Sequence, residues 1–279
     1  MSVYVVAYAK LNLSLRVLGL RADGYHEIVS EVQTIDLADR LTIDLVGKGV
    51  HVESDLAVQG EDIVERAAAA LLHRKRCDRG VRIRVEKVIP VGAGMGGGSS
   101  DAAAVLGVLN RLTPPGLSLD ALCEIGAGIG SDVPLFLHGG RVCMTGRGEH
   151  VERLPEPPAK YFVVLVPPIR CATGLVYSRW DAIASASREK RHTPPRRGEN
   201  DLLRPALDVH PALVPYHDGM QSLGADYCGM SGSGSSFYAA FGERTVAERW
   251  QAVLKQQFVS ADTFVCQPTS GGYRVVGPS

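Results

Sequence analysis

The segment VGAGMGGGSSDAAAV, residues 91–105 of a chain of 279 residues, is the part of the sequence that most clearly indicates the fold. Five of the residues from Gly92 to Gly98 are glycines. The alternating stretch VRIRVEKVI (81–89) precedes the segment and predicts a strand, and the Ala- and Leu-rich stretch AAAVLGVLNRL (102–112) at its end predicts a helix. Glycine tolerates positive φ angles and leaves peptide N–H groups open to a ligand. The sequence therefore predicts a strand, a glycine loop and a helix start in succession.

A loop of this kind is suited to binding phosphate. A helix that begins between Ser99 and Asp101 presents unpaired N–H groups and the positive end of its dipole next to the glycines. The simpler alternative is a flexible turn with a serine at the helix N-cap. Five glycines followed by Ser-Ser-Asp favour the phosphate site over that alternative.

Two familiar phosphate loops are excluded. A P-loop ends in Gly-Lys-Ser/Thr, whereas Gly98 is followed by Ser99 and Ser100. Gly92, Gly94 and Gly97 have the spacing of the dinucleotide fingerprint G-x-G-x-x-G. However, the helix is followed by TPPGLSLDALCEIG (113–126) rather than by an apolar strand that ends in an acid. The match to the fingerprint is therefore accidental.

The composition is typical of a globular protein and excludes several function classes. Lys+Arg and Asp+Glu are both 30, so the formal net charge is zero and no global field attracts nucleic acid or an anionic membrane. The longest apolar stretch, FVVLVPPI (162–169), is too short to span a bilayer, and the start MSVYVVAYAK lacks the features of a secretory signal. Six cysteines without a CxxC pair indicate reduced thiols. We expect a cytoplasmic protein without nucleic-acid or membrane partners.

Hydrophobic patterning predicts an α+β fold in two parts. The length favours two domains, 1–154 and 155–279, with the proline-rich LPEPPAK (154–160) as the linker. The turn RADGYH (21–26) connects two strands. The basic segment EKRHTPPRRGEN (189–200) is more typical of a solvated loop than of a phosphate clamp. The predicted strands are 3–8, 11–18, 27–35, 39–47, 81–89 and 161–168, and the predicted helices are 61–75, 99–112, 119–129 and 246–256.

Three motifs, in this order, resemble the GHMP kinases, a family named for galacto-, homoserine, mevalonate and phosphomevalonate kinases. They are AYAKLNLSL (7–15), PVGAGMGGGSS (90–100) and GMSGSGSSFYAAF (229–241), which together span most of the chain. Met95 stands where leucine is usual in the second motif. The resemblance implies a two-domain fold with a ribosomal-S5-like N-terminal half and a ferredoxin-like C-terminal half.

Three further motifs are similar to one branch of that family. They are GYHEI (24–28), GSDVPLFLHGG (130–140) and GRGE (146–149). Kinases of this branch phosphorylate a cytidine-diphosphate-linked methylerythritol in the non-mevalonate route to isoprenoids. The resemblance therefore implies an ATP-dependent kinase with a small-molecule alcohol as its substrate. The alternatives are another GHMP kinase, such as mevalonate or homoserine kinase, and a catalytically silent nucleotide-binding protein of the same fold.

The resemblance also implies which residues bind the cofactors, ATP and Mg²⁺. Backbone groups of the glycine loop would cradle the phosphates, and the hydroxyls of Ser99 and Ser100 would add phosphate contacts or hold a metal-bound water. No dedicated carboxylate cluster is evident in the sequence, so the metal ligands are left open. The predicted ATP-binding residues are Pro90, Val91, Gly92, Ala93, Gly94, Met95, Gly96, Gly97, Gly98, Ser99 and Ser100.

Asp132 is the predicted catalytic base, because the aspartate of its motif accepts the hydroxyl proton in the family. An aspartate before Val-Pro is otherwise typical of a helix N-cap, and the two roles are compatible. Lys10 is its predicted partner, which keeps the carboxylate ionised and orients the acceptor hydroxyl or the γ-phosphate. In an extended strand Lys10, Asn12, Ser14 and Arg16 share one face. The alternative is an ordinary amphipathic strand with a solvated face.

Four residues are predicted to bind the substrate. Asn12 would hydrogen-bond it near the reacting groups. Tyr25 and His26 would hold the cytosine, the tyrosine by stacking and the histidine by hydrogen bonding to the base edge. Stacking on an aromatic ring contributes roughly 1–3 kcal/mol per base. Tyr177 would form the opposite wall. The alternative for Tyr25 and His26 is a tyrosine packed beside a hairpin and a solvated histidine.

The late glycine loop is predicted to lie near the phosphates. In the family it steadies the first glycine loop, which would bring Gly232 and Gly234 to the site. The alternative is a tight connection between two strands. The sequence does not indicate the oligomeric state.

Overall fold

The computed structural model describes residues 2–55, 62–155, 160–184 and 195–277, which fold around two β-sheets. The strands are Ser2–Leu20 (β1), His26–Val46 (β2), Val50–Ser54 (β3), Gly80–Glu86 (β4), Arg141–Gly146 (β5), His150–Arg153 (β6), Tyr161–Val166 (β7), Tyr227–Met230 (β8), Phe237–Phe241 (β9), Asp262–Cys266 (β10) and Tyr273–Val276 (β11). The helices are Ile63–Arg74 (α1), Gly97–Leu112 (α2), Leu119–Ile129 (α3), Val133–His138 (α4), Thr173–Ala184 (α5), Leu203–Val209 (α6), Val214–Gln221 (α7) and Arg244–Gln257 (α8). None of the helices in these ranges is both long and apolar enough to cross a membrane.

The first sheet is organised around two long strands, β1 and β2, of 19 and 21 residues. They pair in antiparallel orientation from Ser2 opposite Asp44 to Leu20 opposite His26. The first part of β2 also pairs with β5 and its second part with β4, next to which β3 lies in parallel. β6 pairs with β5, and β11 pairs with β1. The sheet therefore contains strands from both ends of the chain.

The second sheet has four antiparallel strands in the order β10-β7-β9-β8. Side chains on one face, such as Val163 and Phe237, pack in a core with residues of helices α5 to α8. Side chains on the other face, such as Phe162 and Tyr238, pack in a core with Leu11 and other residues of β1. Successive residues of a strand point to opposite faces. The second sheet is therefore covered on one side by helices and on the other by the first half of the chain.

The middle of β1 is buried on both faces where the two sheets meet. Leu11 and Leu13 are fully buried in the core that they share with the second sheet. Lys10 and Asn12, on the other face, are each only 5% exposed. The alternative of a solvated polar face is therefore wrong, because Lys10 contacts Asn12 and Asp132. The side chain of Asn12 contacts Ser30 and Ser231. Buried polar side chains require partners.

Most predicted elements are present, with differences at their ends. Strands 3–8 and 11–18 form the single strand β1, and 27–35 and 39–47 form the single strand β2. The pairing shifts register next to Tyr8, where two residues of β2 have no partner on β1, so that a bulge separates the two halves of β2. The predicted helices 61–75, 99–112, 119–129 and 246–256 correspond to α1, α2, α3 and α8.

Helix α2 begins earlier than its sequence predicts. Its first residue is Gly97, not one of the residues from Ser99 to Asp101. Gly96 adopts a left-handed conformation with φ 72° and takes the N-cap position. The glycine loop therefore passes into the helix directly at Gly96.

Parts of two predicted loops lie outside the described residues. These parts are 156–159 of the predicted linker and 189–194 of the predicted basic loop. In the rest of the basic loop Arg197 Nε donates a hydrogen bond to Glu31 Oε1 at 2.9 Å. The division of the chain at residue 155 stays a prediction.

Candidate active site

The glycine loop between β4 and α2 has a conformation that glycine adopts far more readily than other residues. Gly92, Gly94 and Gly96 have φ angles of 73°, 79° and 72°. A Cβ at position 94 would stand 2.3 Å from the carbonyl oxygen of Ser231, and one at position 96 would stand 2.8 Å from the ring of Phe136. The loop therefore requires glycine for its backbone angles and for the close approach of neighbouring atoms.

The late glycine loop is hydrogen-bonded to the first one. Ser231 Oγ donates to Gly94 O at 2.9 Å, and Ser236 Oγ donates to Ala93 O at 2.6 Å. Ser231 Oγ also accepts a hydrogen bond from the backbone N–H of Asn12 at 3.2 Å. Both serines are fully buried. Strand β1 and the two glycine loops are therefore held together by side chains of the late loop.

Two cavities meet at the glycine loop. The first, of about 820 Å³, is lined chiefly by residues 89–99. The second, of about 690 Å³, is lined by residues of β1, the turn before β2, the loop before α4, and α5. Gly94, Gly96 and Ser99 line both cavities. Each volume is in the range that holds a drug-sized ligand, and the shared residues would bring two ligands into adjacent positions.

All of the predicted ATP-binding residues except Ser100 line the first cavity. Residues 90–99 line the first cavity, whereas Ser100 lines neither. The side chain of Ser100 is fully buried, and its Oγ lies 3.5 Å from the carbonyl oxygen of Gly272. Its backbone N–H donates to Gly96 O at 2.9 Å within the start of α2. These contacts give Ser100 a packing role, and its contact with a nucleotide stays a prediction.

Lys10 and Asp132 lie together in the second cavity. Lys10 Nζ is 3.8 Å from Asp132 Oδ2. Lys10 Nζ also donates to Asn12 Oδ1, and Asn12 Nδ2 donates to Ser30 Oγ at 2.8 Å, which fixes the orientation of the amide. Burial lowers the pKa of Lys10, and the carboxylate of Asp132 opposes that shift. A buried amine is therefore held between a carboxylate and an oriented amide oxygen.

Asp132 occupies the N-cap position of α4, but its side chain makes no capping hydrogen bond. The structure therefore confirms the predicted N-cap position of Asp132, but its carboxylate does not cap the helix by a hydrogen bond. The side chain is 33% exposed and lines the second cavity. A ligand in that cavity can reach it.

Tyr25, His26 and Tyr177 line the same cavity. Tyr25 is 53% exposed, and the guanidinium carbon of Arg147 lies 4.9 Å from the centre of its ring. The ring of His26 packs against Tyr177 with the ring centres 4.6 Å apart. His26 Nε2 is hydrogen-bonded to Asp181 Oδ1 at 2.8 Å, so the alternative of a solvated histidine is wrong. Burial raises the pKa of Tyr177 to about 12 and keeps its hydroxyl protonated at neutral pH.

A buried cluster of charges lies under the glycine loop and was not predicted. Lys87 Nζ donates to Asp101 Oδ2 at 2.7 Å and to Asp39 Oδ2 at 2.5 Å. Asp39 Oδ1 accepts hydrogen bonds from the N–H groups of Val88 and Ile89. Burial raises the pKa of Asp101 to about 8, although Lys87 acts in the opposite direction. The cluster ties the segment between β4 and the glycine loop to β2 and α2.

Arg147 and Asp181 line the second cavity but were not predicted either. Arg147 lies within GRGE (146–149), a motif that indicated the resemblance without assigning a role to its arginine. Asp181 follows Tyr177 by four residues, which is about one helical turn. Helix α5 was not among the predicted helices, so this spacing could not point to Asp181 from the sequence.

The oxygen donors at the junction of the cavities fit a magnesium ion bound mainly through phosphates. In the described part of the chain no group of three or more His, Cys, Asp or Glu side chains is placed to hold a metal ion. Ser99 lines both cavities, and Asp132 lines the second. Mg²⁺ at nucleotide sites takes few protein ligands and keeps waters and phosphate oxygens. The hydroxyl of Ser99, which both cavities share, fits such an ion as a direct ligand or through a bound water.

Comparison with known proteins identifies two matching families. The family described as GHMP kinases N terminal domain matches residues 62–140, and the family described as GHMP kinases C terminal matches residues 182–260. A curated relative of Enterococcus faecalis (strain ATCC 700802 / V583), described as 4-diphosphocytidyl-2-C-methyl-D-erythritol kinase, is 37% identical over 270 residues. The match covers 89% of this chain and 93% of the relative. A relative of Bacillus cereus (strain B4264) with the same description is 38% identical over 253 residues, which are 85% of this chain and 88% of the relative.

Solved structures agree with this similarity. A crystal structure of 4-(cytidine 5'-diphospho)-2C-methyl-D-erythritol kinase is similar with a TM-score of 0.79 and 34% identity, over 95% of this chain and 99% of that one. A homoserine kinase from Cytophaga hutchinsonii has a TM-score of 0.68 at 19% identity, over 99% of this chain and 97% of that one. The second similarity concerns the fold alone.

Proposed function

The chain belongs to the GHMP kinase family, and from this premise we propose that it transfers the γ-phosphoryl group of ATP to the 2-hydroxyl of 4-diphosphocytidyl-2-C-methyl-D-erythritol. This reaction belongs to the non-mevalonate route to isoprenoid precursors. The descriptions of the relatives at 37% and 38% identity name this acceptor. The observation that carries the proposal is that the two cavities share Gly94, Gly96 and Ser99, with Lys10 and Asp132 in the second cavity.

ATP occupies the first cavity in this proposal. The positive φ angles of the glycine loop keep side chains away from the backbone, so that peptide N–H groups of residues 90–99 can bind phosphate oxygens. Helix α2 starts at Gly97 and adds the positive end of its dipole. Ser99 would hold Mg²⁺ together with phosphate oxygens of ATP, and the ion would neutralise charge on the transferring group.

The acceptor occupies the second cavity. Its cytosine lies against the aromatic rings of Tyr25 and Tyr177 and is hydrogen-bonded by His26. Its methylerythritol end lies beside Lys10 and Asp132, where Asn12 also lines the cavity. The site is therefore divided into a base end and a reacting end.

Asp132 accepts the proton of the 2-hydroxyl while the new bond forms between that oxygen and the γ-phosphorus. The bond from the γ-phosphorus to its bridging oxygen breaks, and ADP leaves. Lys10, with its Nζ 3.8 Å from Asp132 Oδ2, orients the carboxylate and the reacting groups. Phosphoryl transfer depends mainly on such positioning and on charge stabilisation.

The proposal includes a cytoplasmic enzyme of two domains, 1–154 and 155–279. The glycine loop lies in the first of these and Tyr177 in the second, so the acceptor cavity is built from both. ATP is available in the cytoplasm, which agrees with this location.

An ADP-release assay tests the proposal. The protein is incubated with ATP, Mg²⁺ and one of four acceptors: the cytidine-diphosphate methylerythritol, its analogue without cytosine, mevalonate or homoserine. We expect ADP release with the first and little with the others. Release with mevalonate or homoserine alone would assign another activity within the family. No release with any acceptor would indicate a silent nucleotide-binding protein.

A further inference from the structure

The side chain of His26 is held by a carboxylate from the other half of the chain. His26 is the first residue of β2, and its Nε2 lies 2.8 Å from Oδ1 of Asp181 in α5. The side chain of His26 is 11% exposed, whereas that of Asp181 is 43% exposed. The carboxylate therefore lies at the edge of the cavity and can be changed without opening a core.

Helix α5 also fixes the plane of the histidine ring. Tyr177 packs against the ring at 4.6 Å between centres, and Trp180 meets it edge-on at 5.7 Å. Trp180 and Asp181 follow Tyr177 by three and four residues, a spacing that places both next to Tyr177 on the surface of the helix. The ring is therefore restrained by two aromatic contacts and one hydrogen bond from a single helix.

This hydrogen bond determines which ring nitrogen of His26 carries the proton. An ionised carboxylate only accepts hydrogen bonds, so Nε2 must be the N–H donor. In a neutral imidazole the other nitrogen, Nδ1, then has a free electron pair and is an acceptor. Among the described residues Nδ1 makes no hydrogen bond, and His26 lines the cavity.

We propose that Asp181 is a positioning residue that makes this cavity select cytosine over uracil. This inference rests on the proposed function, which places the base against His26. Cytosine carries an exocyclic amine that donates to Nδ1, whereas uracil has a carbonyl oxygen at the same position. Nδ1 of His26 and the carbonyl oxygen of uracil are both acceptors, so neither would be hydrogen-bonded when the uridine analogue binds. The cavity therefore rejects that analogue.

Binding of two nucleoside diphosphates tests the selection without any turnover. The glycine-loop cavity is first saturated with a non-hydrolysable ATP analogue, and CDP or UDP is then titrated by calorimetry. We expect wild-type protein to bind CDP at least about tenfold more tightly than UDP, the ratio that a lost buried hydrogen bond of about 1.4 kcal/mol produces. In Asp181→Ala the affinities for CDP and UDP should differ by no more than about threefold, because either ring nitrogen of His26 can then carry the proton.

A spectroscopic measurement shows whether Asp181 positions the proton of His26 or only packs against its ring. Nitrogen-15 NMR of histidine-labelled protein distinguishes a protonated ring nitrogen from an unprotonated one. We expect His26 to carry its proton on Nε2 in the wild type and to lose that preference in Asp181→Ala. Asp208→Asn is the matched control, because Asp208 of α6 pairs with Arg179 on the surface and lines neither cavity.

The outcomes for this inference and for the proposed function are distinct. A wild type with the proton on Nδ1, or equal affinity for CDP and UDP, overturns the role of Asp181 even if the protein is an active kinase. An unchanged affinity ratio in Asp181→Ala overturns it as well. Selection of CDP that depends on Asp181, in a protein that releases no ADP, supports the inference and contradicts the proposed function.

Discussion

The backbone of Gly94 is in contact with the backbone of Ser231, and the hydroxyl of Ser231 donates a hydrogen bond to Gly94 O at 2.9 Å. Gly94 belongs to the first glycine loop and Ser231 to the late one. The same hydroxyl accepts the N–H of Asn12, two residues from Lys10 on β1. One serine thus connects the proposed nucleotide site with the proposed acceptor site.

Gly94→Ala is expected to weaken ATP binding. The new Cβ would stand 2.3 Å from Ser231 O in a backbone conformation with φ 79°, so the loop must shift. Strain of this kind costs about 1–3 kcal/mol, which corresponds to an affinity for ATP at least about fivefold lower by calorimetry. Gly128→Ala is the control, because Gly128 lies in α3 with open space around its Cβ position and should bind ATP normally. Equal affinities of the two variants would contradict the role of the loop.

Ser231→Ala and Ser236→Ala are expected to differ in their kinetic effects. Both remove a buried hydroxyl that donates to the first glycine loop, and each loses about 1–3 kcal/mol of stability in chemical denaturation. Only Ser231 also contacts Asn12. Ser231→Ala should therefore raise KM for both ATP and the acceptor, whereas Ser236→Ala should raise KM for ATP alone. Identical effects of the two variants on the acceptor would refute the coupling.

Lys10→Met is expected to lower kcat by roughly 100-fold or more, because a charged group next to the reacting atoms is lost. Lys10→Arg keeps the charge and should retain more activity than Lys10→Met. Lys160→Met is the matched control, since Lys160 forms a surface ion pair with Asp226 at 2.6 Å and lines neither cavity. Steady-state ADP release measures all three. A kcat of Lys10→Met close to that of Lys160→Met would remove Lys10 from the mechanism.

Asp101→Asn is expected to change how stability depends on pH. The pKa of Asp101 is raised from 3.8 to about 8 in the folded protein. Between these values the folded state binds the proton more strongly than the unfolded state, so the contribution of Asp101 to stability falls as the pH rises. The free energy of unfolding of Asp101→Asn, relative to the wild type, should therefore increase from pH 4 to pH 8. A constant difference across this range would show that the carboxyl titrates normally.

The fold class and the family could be predicted from the sequence, and both predictions are confirmed. The glycine loops indicate the family directly from the sequence, because few residues can replace glycine at positions such as Gly94 and Gly96. The periodicity of apolar residues located α1, α3 and α8 within two residues at each end. Local patterns of this kind do not depend on the rest of the chain.

Features that depend on distant contacts were missed or misjudged. The solvated-face alternative for β1 was wrong because Lys10 is buried beside Asp132, and Asn12 is buried against Ser30 and Ser231. The pairs His26–Asp181 and Lys87–Asp101 join residues that no local pattern connects. Tertiary packing brings the two residues of each pair together, and a single sequence does not reveal that packing.

The central claim is that a phosphoryl group passes from the glycine-loop cavity to an acceptor beside Asp132. The most direct test is Asp132→Asn, a change that keeps the shape of the side chain and removes its capacity to accept the hydroxyl proton as a base. We expect kcat for the cytidine-diphosphate methylerythritol to fall by about 100-fold or more, while calorimetry with an ATP analogue gives an affinity close to that of the wild type. Wild-type turnover in Asp132→Asn, with the nucleotide still bound, would contradict the claim.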